Sequence, residues 1–433
     1  MRIVVAGAGY VGLVSGAGLA DFGNEVLCVD LDKSKIEMLE RGEIPFYEPG
    51  LKDLVGRNIR ERRLRFSTSL EAATRWGEVI LICVGTPQAK SGKADLRAVF
   101  AAAKTIAQSM PGYRLVVQKS TVPVGTGDRV LAILKKHVKR GVAFDVASNP
   151  EFLREGQAVE NFMRPDRVVI GVSTPRARKI LEGIYAPLYL IETPKVVTTI
   201  RTAELLKYAA NAFLATKISL INEIANLAEA VGANVHDVAK GIGLDGRIGP
   251  KFLHPGPGFG GSCLPKDTAA LKAFAREAGV RMRIVSAVIE VNKAQRRIAL
   301  EKVLAALKGR KSGTVAILGL SYKPDTDDLR EAPSLHLIRS LLRRGIEVRA
   351  YDPAVKRGAP GIPGGVVFGG NAYDAAKGAD VLVIVTEWNE FRKLDLTRVR
   401  RVMRRRAVVD LRNVYDPEMV RRLGFDYKSV GRS

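Results

Sequence analysis

One thiol in this sequence stands in an unusual setting. Cys263 lies in PGFGGSCLPKD, after a Gly-Gly-Ser stretch that does not read as core packing, with Lys266 three residues on. A nearby cation favours the thiolate, which is the nucleophilic form. On spacing alone a catalytic and a structural cysteine stay equally open. Cys28 and Cys83 sit inside apolar runs and read as core residues. In ELLKYAAN, Lys207 and Asn211 are i and i+4, so a helix places them on one face. A cation and an amide donor converging there could stabilise an oxyanion; an ordinary polar stripe is the alternative. NPEFLREG puts Glu151 and Glu155 beyond an expected strand, where a carboxylate could act as general base, cap a helix or form a salt bridge.

The N-terminus adds a cofactor. GAGYVG supplies Gly7, Gly9 and Gly12 between a strand and a helix, and Asp30 ends the next strand. Glycines let the backbone approach a pyrophosphate, the helix N-terminus favours its charge, and the acid can accept from a ribose hydroxyl. A carboxylate there repels a 2′-phosphate, which favours NAD over NADP, although Lys33 and Lys35 lie close by. An NAD site, a thiolate, an oxyanion pair and a carboxylate together suggest oxidation through a covalent thioester. A thiol adds to an aldehyde, the thiohemiacetal loses hydride, and water releases an acid.

These residues need elements to hold them. Apolar runs at 2–6, VLCVD, 79–85, 115–121, 145–152 and 167–172 read as strands, with helical stretches between. The alternation predicts a doubly wound α/β domain with a mostly parallel sheet. Residues 202–231 predict one long helix, stopped by Gly232 and apolar on more than one face, hence buried between neighbours. The loop 244–267 is dense in Gly and Pro. After a linker at 308–313, strands at TVAILGL, 346–353, 379–388 and 407–414 predict a second, smaller α/β domain. The expected division is an NAD-binding domain at 1–200, a helical domain carrying the cysteine loop at 201–308, and a Rossmann-like domain at 309–433.

Composition sets the outer bounds. The 433 residues are 46% hydrophobic and 26% charged, which excludes disorder and collagen-like repeats. No apolar run reaches membrane-helix length and no signal peptide is read, so the cytoplasm is the default. Three cysteines without a CxxC pair, and four scattered histidines, argue against a disulfide framework or a metal site. The balance of 69 basic to 45 acidic residues gives +24, which points to an anionic partner. The basic run 398–406 reads first as a solvated helix face and second as an anion-binding patch. Only five glutamines among many charges would suit a thermophile.

From residue 5 to 388 the chain resembles the UDP-glucose/GDP-mannose dehydrogenase family. The resemblance rests on GAGYVG, IPFYEPGL, CVGTP, KSTVPVGT, SNPEFLREG, PDRVVIG, ELLKYAANAFLATKISLINE, GFGGSCLPKD, GLSYKPDTDDLREAPS and VIVTEW. It implies NAD held by Gly7, Gly9, Tyr10, Val11, Gly12, Asp30, Lys35, Thr86, Thr121, Glu155 and Lys266, with Arg330 from the second domain. It implies a nucleotide sugar contacting Glu151, Phe152, Leu153, Arg154, Glu155, Lys207, Asn211, Phe252, His254, Gly256, Phe259 and Gly260, with Lys323 and Arg412 from the second domain. Arg247 would be lent to a neighbouring subunit. Cys263 would be the nucleophile, Lys207 and Asn211 the oxyanion donors, and Glu151 the acid/base. Asp267 and Thr121 would position water.

FLHPGPGFGG and GLSYKPDTDDLREAPS are most similar to the UDP-glucose branch, although His254 departs from that pattern. That branch implies UDP-glucose + 2 NAD+ + water giving UDP-glucuronate + 2 NADH, in a homodimer formed through the long helix, with no nucleic-acid or membrane partner. GDP-mannose and UDP-N-acetylmannosamine stay open as substrates. Two further readings are a two-electron hydroxyacid-type dehydrogenase, which needs no thiol, and a basic nucleic-acid-binding protein.

Overall fold

The structure is a computed structural model, and it describes residues 1–89, 91–310 and 312–432. Lys311 of the expected linker and Ser433 of the expected third domain lie outside the described residues. The chain divides into two compact units, Met1–Ala210 with Ala273–Ala278, and Asn211–Lys272 with Gly279–Ser433.

The first unit is built on an eight-stranded sheet: β1 (Arg2–Ala6), β2 (Glu25–Val29), β3 (Leu64–Ser67), β4 (Val79–Ile82), β5 (Arg114–Gln118), β6 (Phe144–Ser148), β7 (Val168–Val172) and β8 (Lys195–Thr198). Their order is β3-β2-β1-β4-β5-β6-β7-β8, parallel except where β7 runs antiparallel to β6. The strands are apolar on both faces because both faces are covered. Val5, Cys28 and Leu81 enter one buried cluster, while Val4, Ile80 and Ile82 enter another. Several expected strands end sooner than their apolar runs. β4 stops at Ile82 rather than 85, and β6 at Ser148 rather than 152. The residues after each strand turn out of the sheet and become the loops that carry CVGTP and NPEFLREG. β3 and β8 were not expected; β8 is a mostly exposed edge strand without an apolar run.

The second unit holds a fully parallel six-stranded sheet. Its strands are β9 (Thr314–Leu318), β10 (Glu347–Tyr351), β11 (Val366–Phe368), β12 (Val381–Ile384), β13 (Ala407–Asp410) and β14 (Asp426–Lys428), in the order β11-β10-β9-β12-β13-β14. The long helix runs over Ile200–Val231 and passes from the first unit into the second. Its burial departs from expectation. Phe213, Leu220 and Leu227, spaced seven apart, are 66%, 51% and 57% exposed. In the basic run, only residues through Val402 belong to the helix Leu396–Val402, and Arg398, Arg401, Arg404 and Arg406 are exposed as a solvated face requires. No helix among the described residues is long and apolar enough to cross a membrane.

Candidate active site

The turn after β1 gives its three glycines three different tasks. Gly7 has φ +105°, which disfavours a side chain, and its N–H donates to Val29 O at 2.7 Å. Gly12 lies against the turn itself: a Cβ there would stand 1.8 Å from Gly7 O. Gly9, the N-cap of the helix Tyr10–Asp21, is different, because a Cβ there would meet nothing within 4 Å. Tight turn, open approach and close helix packing are the three requirements of a pyrophosphate-binding turn. The first-turn N–H groups of the following helix have no intrahelical acceptors and face that opening.

Asp30 follows β2 directly. Its Oδ2 accepts from Ala8 N at 3.0 Å and from Lys35 Nζ at 2.9 Å, and its Oδ1 accepts from Asp32 N at 3.1 Å. The carboxylate is thus aimed across the turn, as ribose recognition requires. Thr86 Oγ1 donates to Thr121 O at 3.0 Å, tying CVGTP to KSTVPVGT.

Glu151 and Lys207 form a buried ion pair at 3.2 Å, with side chains only 6% and 5% exposed. Leu153 N donates to Glu151 at 2.6 Å, and Lys207 Nζ lies 5.0 Å from the Phe152 ring centroid. A buried pair of this kind is costly unless further hydrogen bonds complete it. Arg154 donates through its N–H and Nε to Asn161 Oδ1.

In the second unit, Cys263 is half-buried and sits immediately before the helix Leu264–Glu277. The expected loop therefore ends at Cys263: Lys266 and Asp267 are on the helix's first turn, not in the loop. The reason is a helical bond, Asp267 N to Cys263 O at 2.8 Å. The thiol stands at the positive end of this helix, where an anion is favoured. Asp267 is 1% exposed. It accepts from Asn211 Nδ2 at 2.6 Å and from Lys266 Nζ at 2.5 Å. The Lys266 ammonium is thus engaged by a carboxylate one residue away. Cys28 and Cys83 are buried, and desolvation raises both thiols, Cys83 to about 12.

The glycines before the cysteine are fixed by packing. A Cβ on Gly260 would meet Glu331 O at 2.3 Å, and one on Gly261, at φ +83°, would meet the Tyr322 ring at 2.7 Å. Gly261 N also donates to Arg330 O at 2.9 Å. The cysteine loop therefore lies flat against the loop of Lys323 and Arg330. Arg412 donates to Val385 O and Tyr322 O, and its guanidinium lies against Gly256. Phe252 adopts a left-handed φ of +67°. Arg247 and His254 are not drawn into these clusters: both are exposed, and Arg247 is paired with Asp245.

Several supporting residues escaped the sequence reading. Glu48 is buried and accepts from Tyr10 OH, Gly156 N and Ala158 N, joining the glycine turn to NPEFLREG. Burial and that bond push the Tyr10 phenol well above its usual range. Glu204 accepts from Gly125 N and Gly127 N at 2.7 Å each, and burial raises it to about 7. Asn292 holds Phe259 by both its N–H and its carbonyl, and Gln295 donates to Gly256 O. Glu48 and Glu204 lie in quoted motifs, so position was a signal, but their partners were not readable. Among the described residues, no group of three or more His, Cys, Asp or Glu is placed to hold a metal.

The fold and the first turn define an NAD-dependent oxidoreductase. Residues 1–189 match the NAD binding domain of the UDP-glucose/GDP-mannose dehydrogenase family, 201–294 its central domain and 316–417 its UDP binding domain. A UDP-glucose 6-dehydrogenase of Rhizobium meliloti is 51% identical, with both chains covered in full. A UDP-glucose dehydrogenase structure from Pyrobaculum islandicum superposes with a TM-score of 0.93 at 39% identity, covering 100% of this chain and 98% of that one. A UDP-D-ManNAc dehydrogenase structure from Pyrococcus horikoshii gives 0.88 at 28% identity, covering 100% and 99%. The chain belongs to the UDP-glucose/GDP-mannose dehydrogenase family.

Proposed function

We propose that this chain oxidises the C6 hydroxyl of UDP-glucose to a carboxylate. The glycine turn of Gly7, Gly9 and Gly12 with Asp30 would hold NAD+, which would supply the hydride acceptor for each of two rounds. Cys263 adds to the aldehyde carbon, and the thiohemiacetal becomes a thioester when its C–H is lost as hydride. Water then cleaves the C–S bond, giving UDP-glucuronate and the free thiol. A covalent trap is useful because the first NADH must leave before a second NAD+ enters. The observation that carries this reading is the Cys263–Asp267–Asn211 cluster at one helix N-terminus. It sets a half-buried thiol one helical turn before a buried carboxylate that an amide donor holds.

In this reading Lys207 and Asn211 stabilise oxyanions, and Glu151, held by Lys207, moves the proton. Asp267 positions the hydrolytic water, a role Thr121 shares. Gly7, Gly9, Tyr10, Val11, Gly12, Asp30, Lys35, Thr86, Glu155, Lys266 and Arg330 serve the cofactor. Phe152, Leu153, Arg154, Phe252, His254, Gly256, Phe259, Gly260, Lys323 and Arg412 serve the sugar nucleotide, with Arg247 reaching a second subunit. The UDP-glucose substrate is supported by the full-length likeness to the Rhizobium enzyme. The exposed stripe of Phe213, Leu220 and Leu227 supports a homodimer through the long helix. A cytoplasmic location, the division at 200 and 308, and a heat-stable protein belong to the same proposal. A melting midpoint above about 65 °C is expected for the last, and an ordinary mesophile value overturns it.

The deciding experiment incubates pure protein with excess NAD+ and limiting UDP-glucose and follows NADH absorbance to completion. Two NADH per sugar is expected. One NADH means the aldehyde is released, and the thioester route is wrong. No NADH rejects UDP-glucose, and GDP-mannose and UDP-N-acetylmannosamine follow. Cys263→Ser is expected to lose net acid formation by at least about 1000-fold. Near-normal activity in that variant would favour the two-electron hydroxyacid type.

A further inference from the structure

A cavity of about 540 Å³ opens in the second unit, away from every residue assigned above. Its wall comes from the helix Arg283–Ala306, the end of the long helix, the helix Pro417–Arg422 and the last residues of the chain. Among the described residues the charged lining comprises Lys302, Arg421, Lys428 and Arg432 against Glu229 and Glu301, four cations to two carboxylates, a net of +2.

The internal pairing leaves that excess on one side. Lys302 Nζ lies 2.6 Å from both oxygens of Glu229, and Glu229 also accepts from Gly431 N at 2.6 Å. These two groups neutralise each other. Arg432 Nη2 donates to Tyr427 OH at 3.0 Å, and that hydroxyl donates to the buried Asp410 at 2.8 Å. This fixes the guanidinium at the cavity wall, while its Nε is shielded from solvent and has no hydrogen-bond acceptor among the described residues. Arg421 and Lys428 form no ion pair among the described residues. Ser429 adds a hydroxyl to the lining. That hydroxyl donates to Arg432 O at 3.4 Å, so the donors open to a ligand are the fixed arginine and the two uncommitted cations, which form an anion-binding arrangement in a concave wall.

We propose that this cavity binds a phosphate dianion, carried by a small phosphomonoester or present as the free ion. The net charge of the lining matches a dianion. The volume lies within the range of about 300–1,000 Å³ usual for small-molecule sites, which leaves room for an organic part beside the phosphate. The general +24 charge of the chain attracts anions everywhere, and this concavity adds cationic donors that converge on one space.

The test titrates the full chain with inorganic phosphate and, separately, with glycerol 2-phosphate, by calorimetry. NADH and UDP-glucose are held saturating, so that the cofactor and sugar sites are filled. Saturable binding of either probe is expected. Binding of both, or of glycerol 2-phosphate alone, assigns a phosphomonoester; binding of inorganic phosphate alone assigns the free ion. Arg421→Ala combined with Lys428→Ala should weaken binding by about tenfold or more, which corresponds to about 1.4 kcal/mol. NADH formation in the absence of added phosphate should be unchanged. Lys428→Ala alone serves if the double variant does not fold. Arg401→Ala, exposed on another helix, should bind as the wild type does. The proposal is overturned by no binding at about 10 mM probe, by wild-type affinity in a folded double variant, or by an equal loss in Arg401→Ala.

Discussion

The two sheets begin alike and diverge at one carboxylate. Each has a central strand, β1 or β9, followed by a left-handed glycine, Gly7 or Gly319. Each has an aspartate directly after the neighbouring strand, Asp30 or Asp352. In the first sheet the helix starts three residues after Gly7, and Asp30 meets one N–H of the turn, a lysine and the N–H of Asp32. In the second sheet no helix follows until Pro333. Asp352 accepts there from Leu320 N, Ser321 N, Ser321 Oγ, Trp388 Nε1, Ala354 N and Val355 N. One aspartate is set up to recognise something else; the other is consumed in holding its own loop. The same topology therefore yields a cofactor turn in one place and a rigid platform for Tyr322, Lys323 and Arg330 in the other. Fold alone does not assign the site, and the hydrogen-bond ledger of a single carboxylate does.

Between the two turns, the largest effects should come from the glycines of the first. Gly9→Ala places its methyl in open space, so the melting midpoint should hold while KM for NAD+ rises about 100-fold. Gly12→Ala should instead cost about 3 kcal/mol of stability, because its Cβ would collide with Gly7 O. Thermal melts beside NAD+ titrations separate the two. A Gly9→Ala enzyme with normal KM would mean that no pyrophosphate approaches this turn.

The aspartates should come next and split in opposite directions. Asp352→Ala strands several buried donors and should lower stability by about 3 kcal/mol in urea denaturation. NAD+ affinity should not change. Asp30→Ala should weaken NAD+ about tenfold, with little loss of stability, since its side chain is part-exposed and its turn keeps the Gly7–Val29 bond. Equal effects of both substitutions on NAD+ binding would erase the distinction between the two turns.

What the sequence revealed and what it withheld have a common cause. The α/β alternation, the glycine turn, Asp30 and the Lys207–Asn211 spacing are local patterns, and the cysteine's odd flank is local too. The partners that complete them are distant. Glu48 meets Gly156 N across 108 residues, and Asn211 meets Asp267 across 56. No periodicity encodes such pairings. The antiparallel step from β6 to β7 was hidden because buried strands look alike in either direction. Lys266 and Asp267 read as loop residues because they close a Gly- and Pro-rich run, whereas Pro265 sits at the start of a helix, where it is tolerated. The exposed stripe on the long helix was concealed by the same apolar breadth that suggested burial.

The smallest effect belongs to Glu331, at the end of the second platform. Its carbonyl abuts the cysteine loop at Gly260, and its carboxylate lies 3.4 Å from His336 and 3.1 Å from Arg296. These neighbours hold the carboxyl at about 2, His336 foremost. An unfolded glutamate titrates near ~4.3. The lowered folded value means that its stabilisation is fully present above about pH 4.3 and is lost as pH falls toward 2. The side chain is 53% exposed, so screening keeps the contribution below about 1 kcal/mol. Glu331→Gln should therefore be slightly less stable than the wild type at pH 7 in urea denaturation, with the gap closing between pH 4.5 and pH 2.5. A gap that persists at pH 2.5 would show that Glu331 acts by packing Arg296 against Phe259 O, which Arg296 also contacts at 3.1 Å, rather than by its charge. The second platform would then be held at this end by shape and at Asp352 by hydrogen bonds.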